Sequence, residues 1–250
     1  MKGAEAAIGA ARGVTEGARA YIFAGGFGSG KTEIAVNFSL RLTEEAAGSA
    51  PARRGEERRP AVYLLDLDTV NPYFRSRRLS RYLAEAGVEV ISTAPGKEWG
   101  DVPALSAKIA GVLRRGEEPI VADVAGDKVG ATVLGSLAPW LREAGYRLYL
   151  VANPFRPFTR TAAEVAAMAE VVAGTARLDL TGLVANPHLR EATQPEDIQA
   201  GLAVVKEAAA ELAVPVSFLA VQREWAEAAR QWADGIPLLP LRLFFRRPWE

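Results

Sequence analysis

Eight consecutive residues, Gly25-Gly26-Phe27-Gly28-Ser29-Gly30-Lys31-Thr32, meet the pattern G-x-x-x-x-G-K-[ST], and the chemistry of that pattern is phosphate binding. Glycines let the backbone curl with several N–H groups pointing inward, and the N-terminus of a following helix adds positive potential at the same point. Lys31 is expected to reach the β- and γ-phosphates of a nucleotide, and the Thr32 hydroxyl to ligand Mg²⁺. The expected nucleotide-binding set on this stretch is Gly26, Phe27, Gly28, Ser29, Gly30, Lys31, Thr32 and Glu33.

Carboxylates are the second requirement of such a site. Ala61-Val62-Tyr63-Leu64-Leu65-Asp66-Leu67-Asp68 is an apolar run ending in two aspartates that alternate with leucine, so both point to one side of an extended chain. One can serve magnesium and the other water. Carboxylates at the end of a buried strand are costly unless a cation or hydrogen-bond donors offset the desolvation. The plainer alternative, that one of them caps the following turn, stays open, since Asp-Thr and Asn-Pro are good turn formers. A third aspartate, Asp123, closes Pro119-Ile120-Val121-Ala122 in the spacing D-x-x-G with Gly126. In P-loop enzymes such an Asp holds a magnesium-bound water, and the Gly amide can sense the γ-phosphate.

These residues need a scaffold that brings strand ends together. Tyr21-Ile22-Phe23-Ala24 reads as a short buried strand before the loop, and Ile34, Ala35, Phe38 and Leu42 recur at helical spacing after it. Further strands are expected near 61–65, 88–92, 119–123, 146–151, 180–185 and 216–220, with helices near 76–86, 102–115, 129–143, 160–173 and 196–213. The alternation predicts an α/β fold: a doubly wound, mainly parallel sheet of about seven strands with helices on both faces. Ligands of such sheets bind outside the carboxyl ends of the strands, where the loop and the aspartates fall. One domain is expected over 1–250, with an N-terminal extension at 1–18, an exposed loop rich in both charge signs at 46–60, and a C-terminal tail at 222–250.

Lys and Arg number 30 and Asp and Glu number 30, so no global field draws the chain to nucleic acid or to an anionic membrane. The absence of cysteine excludes disulfides, thiolate zinc sites and cysteine-ligated iron–sulfur clusters within this chain. No stretch is long and apolar enough to span a membrane and no signal-peptide core opens the chain, so a cytoplasmic location is the expectation.

Together, the loop and the three aspartates resemble the MinD/ParA/CobQ-CobB-type ATPases, a SIMIBI-class branch of the P-loop NTPases that includes the nitrogenase iron protein. The resemblance covers roughly residues 19–221. Asp68-Thr69-Val70-Asn71-Pro72-Tyr73-Phe74-Arg75 is further similar to a bacterial subgroup of CobQ/CobB/MinD/ParA nucleotide-binding proteins. The resemblance implies ATP and Mg²⁺ as cofactors, Asp66 as the magnesium-facing carboxylate, Asp68 as the one that orients water, and Asp123 as the D-x-x-G aspartate. It also implies that Asn186, followed by Pro187 at the end of a later strand, contacts the purine. The chain departs from the family at Gly26, where MinD-like members carry a signature lysine that reaches the partner subunit's nucleotide. Arg75, Arg77 and Arg78 are candidates to replace it. The loop is also similar to that of the CobW-type metallochaperone GTPases, but their cysteine metal motif is missing here. No Asn-Lys-x-Asp guanine-reading sequence occurs, which favours ATP over GTP.

His188 is the only histidine, and with no G-x-S-x-G elbow a place beside the purine is expected rather than a catalytic triad. Asn153-Pro154-Phe155-Arg156-Pro157-Phe158-Thr159-Arg160 can meet an effector, or be a rigid turn that packs Phe155 and Phe158 and caps a helix with Thr159. The tail at 238–249 has the apolar and basic character of a membrane anchor, but its prolines oppose a helix, and extended packing on the domain or on a second subunit is favoured. The expected function is a Mg²⁺-dependent ATPase, a hydrolase acting as a nucleotide-dependent switch for self-association as a homodimer or for an unidentified partner protein. The alternatives are an ATP-dependent ligase or kinase of the dethiobiotin synthetase or cobyrinic acid amidase type, and a nucleotide-gated binding module with little hydrolysis.

Overall fold

Apolar residues at every position of 20–25 suit a strand covered on both faces, and this segment becomes the centre of the sheet. The computed structural model describes residues 18–49, 60–68, 79–92, 102–116 and 118–245. Eight parallel strands form one sheet: β1 (Ala20–Gly25), β2 (Val62–Asp66), β3 (Val88–Ser92), β4 (Ile120–Ala125), β5 (Tyr146–Ala152), β6 (Gly182–Ala185), β7 (Val216–Gln222) and β8 (Leu238–Leu241). Their order is β3-β2-β4-β1-β5-β6-β7-β8. The strand order reverses beside β1, which lies between β4 and β5, so the crevice at its carboxyl end is the place where such a sheet opens to a ligand.

The connecting helices are α1 (Lys31–Ser49), α2 (Ser80–Glu85), α3 (Val102–Arg115), α4 (Lys128–Ala144), α5 (Ala162–Ala176), α6 (Pro195–Glu211) and α7 (Ala226–Ala233). Period two sends Tyr21 and Phe23 to one face of the sheet and Ile22 and Ala24 to the other. On the first face, Phe23, Phe38 of α1, Tyr149 and Phe218 form an aromatic core, with Phe23 and Phe38 ring centroids 5.1 Å apart. On the second, Ile22, Leu65, Val124 and Leu150 pack against Leu134 of α4, Val165 of α5 and Leu202 of α6. Burying both faces anchors every strand end that carries a functional residue.

Three expectations change. The sheet has eight strands rather than about seven, and the tail at 222–250 contains both β8 and α7. The prolines of the tail oppose a helix, and the chain around Pro240 is extended in β8, at the edge of the sheet. Residues 46–49, read as the start of an exposed loop, continue α1. Residues 1–17 of the extension, 50–59 of the loop and 246–250 of the tail lie outside the described residues, as do Arg75, Arg77 and Arg78.

Candidate nucleotide site

The loop between β1 and α1 adopts left-handed backbone at Gly28 (φ 77°) and Gly30 (φ 86°), a region that favours glycine. Ser29 N–H closes a turn on the Gly26 carbonyl at 3.1 Å, and Ile34 N–H starts the helix on the Gly30 carbonyl. Two buried asparagines hold the loop from neighbouring strand ends. Asn186, after β6, donates from Nδ2 to the Ser29 carbonyl at 2.6 Å. A Cβ on Gly30 would strike that amide. Asn153, after β5, donates to the His188 carbonyl at 3.0 Å and, at 3.5 Å, to the Gly28 carbonyl, while its Oδ1 accepts from the Phe155 and His188 amides. Asn153 is fully buried and ties three loops together, so Asn153→Ala is expected to lower unfolding free energy by roughly 2–3 kcal/mol. Urea denaturation checks this, and a loss under 0.5 kcal/mol would contradict it.

Lys31 Nζ lies 2.8 Å from Asp68 Oδ2 with both side chains buried. Asp66 ends β2 and is the register partner of Asp123, which lies two residues before the end of β4; both are buried. Among the described residues neither oxygen of Asp123 has a hydrogen-bond partner; Thr32 lies close enough to lower its pKa without meeting hydrogen-bond geometry. Burial pushes Asp123 up to about 7, with Lys31 opposing and Asp66 and Asp68 reinforcing the shift. Burial disfavours the charge on Lys31, but Asp123 and Asp68 more than offset it and hold its pKa above the ordinary value. Asp66, Asp68 and Asp123 thus bring carboxylates together beside Lys31. No group of three acidic or histidine side chains among the described residues is close enough to hold a metal alone. That suits Mg²⁺, which arrives with phosphate oxygens and waters and takes only one or two carboxylates.

The D-x-x-G glycine has a structural task. A Cβ on Gly126 would lie 2.7 Å from the Gly25 carbonyl oxygen, and its amide donates to that carbonyl at 2.9 Å. Loops after β1 and β4 thus touch backbone to backbone.

Beside the phosphate loop opens a cleft of about 890 Å³, lined by Phe27, Gly28, Gly30, Lys31, Thr32, Asn186 and Pro187 among others. His188 lines it too, as expected. Its pKa is lowered to about 4 by burial and then by Arg156 and Arg190, so it is neutral near pH 7. The Asn186 side-chain amide nitrogen, expected at the purine, is directed to the loop backbone. Glu33 accepts hydrogen bonds from Phe244 and Phe245 of the tail, and burial pushes it up to about 7. Gly26 faces Met168 of α5, 3.3 Å from where its Cβ would be. The 153–160 turn differs from its expected form: Thr161 rather than Thr159 caps α5, and Phe158, at φ 66°, is 76% exposed, as is Phe27. Arg156, in the 153–160 stretch read as able to meet an effector or form a rigid turn, donates to the Gly28 carbonyl at 3.3 Å. The bonds of Asn153 to Gly28 and of Glu33 to the tail join segments more than a hundred residues apart, and that of Asn153 to His188 spans 35, so local sequence marked neither.

No protein-family model matches this chain, and no curated protein matches it in sequence. Solved structures do share its fold. The cell division protein FtsY of Thermotoga maritima superposes with a TM-score of 0.57 at 18% identity, over 92% of this chain and 66% of that one. The signal recognition particle 54 kDa protein of Aeropyrum pernix, in complex with GDP, gives 0.54 at 18%, over 82% of this chain and 42% of that one. The signal recognition particle receptor FtsY of Elizabethkingia anophelis, also with GDP, gives 0.54 at 15%, over 92% and 61%. This chain thus spans less than two thirds of their length. What this chain shares with these structures is the fold, one parallel α/β sheet flanked by helices.

Proposed function

We propose that this protein is a Mg²⁺-dependent nucleotide hydrolase of MinD/ParA type that works as a switch, changing its association with itself or with a partner protein according to the nucleotide bound. The observation that supports it most is the buried Lys31–Asp68 pair beside Asp66 and Asp123, set at the mouth of a loop whose left-handed glycines turn its amides inward. Lys31 and the amides of 28–32 hold the phosphates. Thr32, Asp66 and Asp123 hold Mg²⁺ directly or through water, and the metal would neutralise charge on the phosphoryl group. Asp68, released from Lys31 when phosphate takes its place, orients the attacking water, so catalysis is positioning and electrostatics. Gly26 leaves no lysine at the signature position. Arg156, over Gly28, and Arg75, Arg77 and Arg78 are the cations nearest in space or sequence to take that role. The setting is cytoplasmic in this reading.

The base has two supports that point different ways. The missing Asn-Lys-x-Asp sequence favours ATP; the GDP in two of the similar structures favours a guanine nucleotide. Phosphate release and light scattering with Mg²⁺ATP, Mg²⁺GTP and the diphosphates separate them. The expected result is slow turnover of one triphosphate, with a mass change that the diphosphate does not cause. A protein that stays monomeric and idle with both contradicts the switch; turnover that depends on an added small carboxylate points instead to the ligase.

A further inference from the structure

Leu241, Leu243 and Phe245 recur at every second position where the chain leaves β8, and period two puts them on one face of an extended segment. All three line the cleft beside the phosphate loop, together with Pro187 and Trp225. Leu243 is 44% exposed, a large apolar side chain left uncovered beside the loop that binds phosphate. The alternate residues turn the other way. The Arg242 guanidinium lies 5.8 Å from the Tyr82 ring of α2 and 5.2 Å from the Phe244 ring, and the Phe244 and Tyr82 rings are 5.5 Å apart. Both faces of the segment are thus fixed by what they touch.

The backbone of 242–245 lies beyond the last ladder bonds of β8, and side chains of α1 take over from a neighbouring strand. Asn37 pairs with both groups of Arg242, donating from Nδ2 to its carbonyl at 2.9 Å and accepting its amide on Oδ1 at 2.8 Å. Glu33 accepts the amides of Phe244 at 3.0 Å and Phe245 at 2.9 Å, and Arg190 Nη2 donates to the Phe245 carbonyl at 2.9 Å. Glu33 stands in the first turn of α1, directly after Lys31 and Thr32. One helix turn therefore carries the phosphate-binding side chains and the anchor of the apolar face.

We propose that residues 241–245 are the nucleoside wall of the site: the base of a nucleotide held by its phosphates at 28–32 lies against Leu243 and Phe245, and Glu33 sets the distance from that wall to Lys31. The proposal rests on the nucleotide reading above. The cleft is continuous with the phosphate loop, and its mix of an apolar wall with few polar groups is that of a small-molecule site. Glu33 is then a positioning residue and Leu243 a contact residue.

Calorimetric titration with Mg²⁺ATP, Mg²⁺GTP and Mg²⁺-tripolyphosphate tests this on wild type, Leu243→Ser and Glu33→Ala. Leu243 is half exposed and Ala suits a helix, so neither change threatens the fold. The expected result is a nucleotide affinity lowered roughly 5- to 10-fold in each variant, with tripolyphosphate affinity within twofold of wild type. Nucleotide binding unchanged in both variants, or a loss shared equally by tripolyphosphate, overturns the wall. Wild type binding neither nucleotide nor tripolyphosphate overturns the nucleotide reading itself, and the wall with it.

Discussion

A Lys31→Ala protein is expected to lose affinity for Mg²⁺-nucleotide by at least about 100-fold, the loss of a buried charge-assisted contact to phosphate. The same change acts on the empty protein. Lys31 is the cation among Asp66, Asp68 and Asp123, and its ion pair with Asp68 is sealed from water. Removing one partner of a buried pair costs about 3–5 kcal/mol, because the other charge stays behind. The variant is therefore expected to melt below wild type at pH 8 in chelator, with a smaller difference at pH 5, below the value of about 7 to which burial pushes Asp123. Titration calorimetry and thermal unfolding at the two pH values check both parts. Unchanged nucleotide affinity would remove Lys31 from the site, and an unchanged melting temperature would mean that Asp68 finds another partner without cost.

The legible part of this protein was local in sequence. The loop, β1 and α1 follow from one motif and its flanking periodicity, and strands β2 to β7 follow from apolar runs that only a two-sided parallel sheet would bury. What the sequence hid was pairing across distance. Nothing near Asn153 marks it as the residue that fastens the loops after β1, β5 and β6, because its partners lie at Gly28 and His188. The eighth strand is four residues long and carries Pro240, which the sequence marked only as opposing a helix. Glu33 looked like part of the phosphate set because it follows Thr32, yet one turn of helix aims its carboxylate at the tail. The three aspartates were expected at a metal site because a carboxylate in or beside a buried strand is costly unless a cation or hydrogen-bond donors offset it, and the structure finds all three buried.

That expense gives the second large effect, and it runs against the usual direction of a core substitution. Asp123 is fully buried, its oxygens lack hydrogen-bond partners among the described residues, and burial lifts its pKa from 3.8 to about 7. A carboxyl group with a raised folded pKa keeps its proton longer in the folded chain than in the unfolded one. Between pH 3.8 and about 7 the folded state binds more protons, so stability falls as pH rises through this window, and above it the full cost is present. Asp123→Asn removes the ionisation while keeping the shape. In the absence of Mg²⁺ and nucleotide, this variant is expected to be about 2–4 kcal/mol more stable than wild type at pH 8 and nearly equal to it at pH 4. Glu33 contributes with the same sign as Asp123, and His188, whose folded pKa is lowered to about 4, with the opposite sign between pH 4 and 6.5, where the unfolded chain takes up the proton and the folded one does not. Both are common to the two proteins, so they largely cancel in the difference. Mg²⁺-dependent nucleotide binding is expected to weaken in the same variant, since the amide offers the metal no charge. Urea unfolding across pH 4–8 in chelator, paired with Mg²⁺ titrations, measures both. A gain in stability with a loss of binding marks Asp123 as a charge kept for a cation at the expense of the empty fold. A stability difference that does not grow with pH would mean that the carboxyl is not held uncompensated in the folded chain.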